Sequence, residues 1–163
     1  MGIAKVARSD AAILKNLMSM YLHDMSEFAD FLKLSPDGSY KYRNLNLYWE
    51  KDALSAYFIK LNSDIAGFIL SNRKPYIPED CEISIQEFFI LKKYRGEGIG
   101  KKAAREFFGL FPGKYFIAQL INNKPAIDFW HSLYRELKIE FEEREEFESG
   151  IKLLTQRFEI SRA

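Results

Sequence analysis

The segment Leu91-Lys92-Lys93-Tyr94-Arg95-Gly96-Glu97-Gly98-Ile99-Gly100-Lys101 constrains the fold more than any other part of the chain. An apolar run, EISIQEFFIL over Glu82 to Leu91, enters it as a strand of central-sheet character. A helix is predicted to leave it, from about Lys101 to Phe111, stopped by Pro112-Gly113. Three glycines at alternate positions let successive backbone N–H groups converge on an anion. The helix that follows brings unpaired N–H groups and its positive dipole end to the same point. Between residues 92 and 105 six basic side chains (Lys92, Lys93, Arg95, Lys101, Lys102, Arg105) stand against one acid, Glu97. The segment therefore reads as a phosphate cradle. It is not a Walker A loop, because Arg95 stands where the first glycine belongs and Lys102 where the hydroxyl belongs. Nor does it meet the dinucleotide fingerprint GxGxxG, since Lys101 occupies the third glycine's place.

The remaining elements follow from periodicity and turn signals. Ile3 to Ala7 reads as a short first strand. A helix capped at Ser9 or Asp10 carries an apolar stripe of Ile13, Leu14, Leu17, Met18, Tyr21 and Leu22. Residues 25–34 suggest a second short helix with Phe28, Phe31 and Leu32 on one side. Ser35-Pro36-Asp37-Gly38 is a turn, and Tyr40 to Lys51 a loop or irregular strand. Ala53–Leu61 and Ile65–Ser71 form a hairpin. After the cradle come a strand over Lys114–Leu120, a helix opened by Pro125 and running to about Leu137, and a hairpin of Ile139–Phe147 with Ile151–Ile160. The expected fold is α/β (α+β), one domain over residues 1–163, with a central mixed sheet flanked by about four helices.

Charge and cysteine content narrow the functional classes. Twenty-four Lys+Arg nearly cancel 23 Asp+Glu, which argues against a nucleic-acid partner. The zero hides a local +5 patch at the cradle. With one cysteine, Cys81, and two histidines, His23 and His131, no metal site is expected. The opening MGIAKVARSD lacks a signal-peptide core, and no apolar run is long enough to span a membrane, so a cytoplasmic location is expected. Aromatic residues make 15% of the chain, and exposed ones are a candidate homodimer surface.

One phosphate pattern is met: Arg/Gln-x-x-Gly-x-Gly/Ala, by Arg95-Gly96-Glu97-Gly98-Ile99-Gly100. With its flanking strand and helix it resembles the pyrophosphate loop of the GCN5-related N-acetyltransferases. Asn123-Lys124-Pro125-Ala126-Ile127-Asp128-Phe129-Trp130 resembles the second half of that family's signature, Asn-x-x-Ala-x-x-Phe-aromatic. Tyr21 to Phe28, YLHDMSEF, resembles a subgroup of predicted acetyltransferases within it.

The resemblance implies acetyl-coenzyme A as donor and a primary amine of a small molecule or peptide as acceptor, the amine attacking directly in a ternary complex. The pantetheine arm would lie between two splayed parallel strands, Glu82–Leu91 and Lys114–Leu120. Backbone groups of Phe88, Ile90 and Leu91, with Phe89 alongside, would hold it. Arg95, Gly96, Glu97, Gly98, Ile99, Gly100 and Lys101 would hold the diphosphate, with Lys101 or Arg105 near the 3′-phosphate. Asn123, Ala126, Phe129 and Trp130 complete the implied cofactor set.

Strict alternation puts Glu82, Ser84, Gln86, Phe88 and Ile90 on one strand face and Ile83, Ile85, Glu87, Phe89 and Leu91 on the other. In the family the base often comes from the place of Ser84 or Gln86, and neither is a useful base. Glu82 shares their face; Glu87 does so only if a bulge reorients it, and its flanking phenylalanines would raise its pKa. Paired with a Lys or Arg, Glu87 would instead be structural. Trp130 stands where many relatives carry the tyrosine that protonates the departing thiolate. Tyr134, one turn on, is the substitute candidate, or else a core aromatic. Tyr21, Asp24 and Glu27 are the acceptor-side candidates. Without a base or acid, the chain would be an acyl-coenzyme A-binding regulatory module, the alternative reading. The seven glutamates between Glu136 and Glu148 read as a solvated acidic hairpin.

Overall fold

The computed structural model describes residues 1–162. In chain order the elements are β1 (Gly2–Lys5), α1 (Ala11–Met25), β2 (Leu54–Leu61), β3 (Asp64–Asn72), β4 (Ile83–Ile90), α2 (Ile99–Leu110), β5 (Gly113–Leu120), α3 (Lys124–Leu137), β6 (Phe141–Glu148) and β7 (Ile151–Ile160). The strands form one mixed sheet in the order β1-β2-β3-β4-β5-β7-β6. Every neighbouring pair is antiparallel except β4 and β5.

Each face of the sheet is covered by the helices whose apolar stripes match it. On one face Leu14, Leu17, Met18 and Leu22 of α1 pack on Phe58, Phe68, Leu70 and Phe89. On the other, Ala103, Ala104, Phe107 and Phe108 of α2 and Trp130, Leu133 and Tyr134 of α3 pack on Ile83, Ile85, Tyr115 and Ile117. Among the described residues no helix is long and apolar enough to cross a membrane.

Three α-helices are described, not four. The predicted helix over 25–34 is a chain of single turns: Phe28 N–H donates to the Met25 carbonyl and Leu32 N–H to that of Ala29. The Ser26 hydroxyl donates to the His23 carbonyl at 2.6 Å, a local bond that competes with helix continuation. Phe31 is exposed, so the apolar residues there never form one continuous face.

The decisive departure from strict alternation lies in β4. Its register with β3 steps from Leu70↔Glu87 to Ser71↔Ile85, which leaves Gln86 unopposed. One extra residue reverses the facing of everything beyond it. Ile83 and Ile85 point to the α2/α3 face, and after the bulge so do Phe88 and Ile90. Glu87 and Phe89 turn to the α1 face. The alternation written across Glu82–Leu91 as one unbroken strand is corrected accordingly.

Candidate active site

The parallel pair is joined only at its beginning. β4 and β5 are in register at Ile83↔Tyr115 and Ser84↔Phe116, and then separate. In an antiparallel ladder hydrogen-bonded pairs alternate with pairs whose backbone groups face the other way. Leu91 N–H donates to the Ala66 carbonyl at 2.8 Å, so Leu91, Phe89 and Glu87 bond to β3. The N–H and C=O groups of Phe88 and Ile90 therefore face the gap. This corrects the expected role of Leu91, whose amide is already taken.

The gap widens into a cleft of about 690 Å³. Phe88, Phe89 and Ile90 line it from the sheet; Arg95, Gly96, Gly98, Ile99, Gly100 and Lys101 from the loop and α2; Asn123, Ala126, Phe129 and Trp130 from α3; Tyr21, Asp24 and Glu27 from α1 and the turn after it. Gly96 and Gly98 hold φ of 83° and 75°, the left-handed region where a Cβ is costly. Gly98 caps α2 with no side-chain bond, so the first N–H groups of the helix stay open to the cleft. Gly100 serves packing: a Cβ there would sit 3.1 Å from the Phe129 ring. Asn123 caps α3 by accepting from Ala126 N–H at 3.2 Å, with Pro125 in the first turn. Phe129 stacks on Phe88 with centroids 5.5 Å apart. Open donors, a free strand edge and an apolar lining suit a long ligand with an anionic end and an amide-bearing arm, as coenzyme A is.

Glu87 stands behind this cleft on the α1 face. Tyr21 Oη donates to one of its carboxylate oxygens, and Tyr42 Oη to the other at 3.0 Å. Among the described residues no lysine or arginine pairs with it. Burial pushes its pKa up to about 7, and the phenol hydrogen bonds resist that rise. Burial, with the Glu87 charge beside them, holds both phenols above their ordinary range. Beside this group Tyr48 Oη donates to Asn72 at 2.7 Å, and Asn72 Nδ2 to Gln86 at 3.2 Å. Tyr42 as a partner was not legible, because it lies 45 residues from Glu87 in a stretch without period.

Several expected residues do not converge. Glu82 precedes β4 at the end far from the loop, about 25 Å from Ile90 along an extended strand. Its carboxylate accepts from Lys114 N–H at 2.8 Å, where it fixes the start of β5. Tyr134 is fully buried between Trp130, Phe141 and Phe158, and burial raises its pKa well above the usual value. It does not line the cleft and packs as a core aromatic, but its buried hydroxyl has no hydrogen-bond partner among the described residues, unlike the satisfied core tyrosine expected. Glu97 is exposed outside the lining. Lys101 lines the cleft, but its ammonium meets Glu136 at 2.9 Å and Ser132 at 2.7 Å, while Arg105 meets Glu136 at 2.6 Å. Both cations are thus engaged across α2 and α3. Arg95 crosses the cleft: its Nε donates to the Ile90 carbonyl at 2.7 Å and its Nη2 to Asp24 at 2.6 Å.

Comparison with known proteins agrees with this geometry. The family model described as "Acetyltransferase (GNAT) family" matches residues 17–134. No curated protein matches the sequence. Among solved structures, an acetyltransferase from Thermus thermophilus superposes with TM-score 0.68 at 16% identity, covering 96% of both chains. The Salmonella typhimurium protein yncA, solved with its cofactor acetyl-CoA, gives TM-score 0.62 at 12% identity over 99% of this chain and 94% of its own. The aminoglycoside acetyltransferase AAC(6′)-Ib in complex with coenzyme A gives 0.66 at 12% identity over 96% and 92%. The chain belongs to the GNAT family of acetyltransferases, whose cosubstrate is acetyl-CoA.

Proposed function

We propose that the protein transfers an acetyl group from acetyl-CoA to a primary amine of a small molecule or peptide, with Glu87 as the base. The observation that carries this reading is the junction of the free β4 edge with the Tyr21–Glu87 pair at one cleft. Acetyl-CoA supplies an acyl group already activated as a thioester. The N–H groups of Gly96 to Lys101 are the donors for the diphosphate. Phe88 and Ile90 offer their gap-facing backbone groups to the pantetheine amides, as an added strand would. Phe129 and Trp130 keep water from one wall.

An ammonium must lose a proton before its nitrogen can attack, and a base works best with a pKa near the working pH. Glu87, raised to about 7, meets that condition. It accepts the proton through Tyr21 Oη, which lines the cleft and is hydrogen-bonded to it. Holding both reactants in the cleft supplies much of the remaining acceleration, up to roughly 7–11 kcal/mol for well-oriented groups.

A melting experiment and a thiol-release assay test this. Acetyl-CoA at 100 times its Kd should stabilise the protein by about 2.7 kcal/mol. Gly98→Trp should abolish the shift, because the indole enters the diphosphate path. No melting shift at millimolar acetyl-CoA, or no thiol release with any member of a broad amine panel, would defeat the proposal.

A further inference from the structure

Arg95 makes two contacts in this structure that a bound cofactor must replace. Its Nε fills the Ile90 carbonyl at 2.7 Å, one of the groups that face the gap. Its Nη2 holds Asp24 on α1 at 2.6 Å, and the guanidinium lies 5.5 Å over the Phe89 ring. The side chain thus bridges sheet and helix across the cleft. A pantetheine amide and the Arg95 Nε compete for one acceptor. A diphosphate offers the guanidinium more charge and more acceptor oxygens than one carboxylate does.

Asp24 stands at a junction. It lines the cofactor cleft and also a second cavity of about 670 Å³. The second cavity has apolar walls from Met20, Leu34, Tyr40, Phe89 and Leu91. Without Arg95, Asp24 keeps Lys92 at 3.4 Å and the His23 ring at 3.8 Å, side chains 74% and 72% exposed and so well screened. Asp24 is also one helical turn from Tyr21, on the side of α1 that faces the Glu87 pair.

We propose that Arg95 is a latch that the cofactor opens: its guanidinium leaves Ile90 and Asp24 for the diphosphate, and Asp24 then receives the acceptor's ammonium group. The proposal rests on the acetyl-CoA reading above. It gives the acceptor a class, a primary ammonium on a short apolar body that fits the second cavity. It also makes the two ligands mutually reinforcing, since each is favoured by the same displacement of Arg95.

The test uses the full chain, coenzyme A and n-butylammonium. In the free protein the Arg95 Nε–H proton, bonded to Ile90, should give a slowly exchanging NMR signal that shifts on saturation with coenzyme A. Asp24→Asn should bind coenzyme A about two- to fivefold more tightly, while Asp30→Asn, which removes an exposed acid outside both cavities, should leave the affinity unchanged. Saturating coenzyme A should raise the affinity for n-butylammonium at least fivefold, and Asp24→Asn should cancel that gain. The latch is overturned if the Nε–H signal does not move, or if Asp24→Asn tightens binding no more than Asp30→Asn. The transfer of Asp24 to the acceptor is overturned if coenzyme A leaves n-butylammonium affinity unchanged. Failure of the wild type to bind coenzyme A at all would instead remove the reading on which the latch rests.

Discussion

Two polar clusters are built into the same sheet, and they are finished differently. On the β5/β7 side Gln119 and Gln156 exchange both amide bonds at 2.8 and 2.9 Å, and Gln156 also donates to Glu143 at 2.9 Å. Both glutamines are buried, and their polar groups are neutral and paired. On the α1 side Glu87 carries an ionisable group that two phenols hold, with no cation among the described residues to fix its charge. Closure of the first cluster gives rigidity to β5 and β7. Incomplete compensation in the second leaves a carboxyl free to change protonation near neutral pH.

Replacement of Glu87 by Gln breaks the second cluster and has the largest expected effect. Steady-state kinetics should show kcat reduced about 10²- to 10⁴-fold, while the acetyl-CoA melting shift persists. An unchanged kcat would move Glu87 into the same class as Gln156. In the wild type, log kcat should rise with pH through about 7 as Glu87 loses its proton, and the variant should lack that limb.

Gln156→Leu breaks the first cluster. It strands the buried Gln119 amide and should cost about 1–3 kcal/mol of stability in urea unfolding, with kcat within twofold of wild type. The double variant Gln119→Leu/Gln156→Leu should recover part of that loss, because no buried amide is left unpaired. A double variant no more stable than the single would show that the pair fixes more than itself.

The last effect is a stability slope. Glu87 has its folded pKa raised to about 7 from an ordinary value of 4.5. Between these values the native state binds more protons than the unfolded state. Stability therefore falls as pH rises from about 4.5 to 7. The wild-type minus Glu87→Gln difference in melting temperature should decline over that window and level off above it. A flat difference would mean that the carboxyl titrates normally.

Element order and the cradle were legible because periodicity, Pro-Gly stops and glycine spacing are local. The bulge at Gln86 was not: EISIQEFFIL reads as an uninterrupted strand, and only pairing with β3 exposes the extra residue. Glu87 was legible as a carboxyl between phenylalanines, but its partners come from 66 and 45 residues away. Tyr134 followed the helical spacing correctly and still lies off the site, since the spacing places it on α3 but says nothing of how deeply α3 packs. Arg95 was read as a loop cation for phosphate, and its reach to Asp24, 71 residues away, has no sequence signal. Of the seven glutamates read as an acidic hairpin, Glu136 lies instead on α3, paired with Lys101 and Arg105, while on β6 Glu143, Glu145 and Glu146 are engaged by His131, Lys152 and Arg157.

That hairpin sets the limit of the sheet. β6 is its terminal strand, and its outer backbone groups have no neighbour within the sheet. Such a border is a template on which another chain can grow. Glutamates at 142, 143, 145, 146 and 148 line it. A second copy approaching edge to edge would bring like charges directly opposite one another. Acids along that border therefore oppose further strand addition past β6.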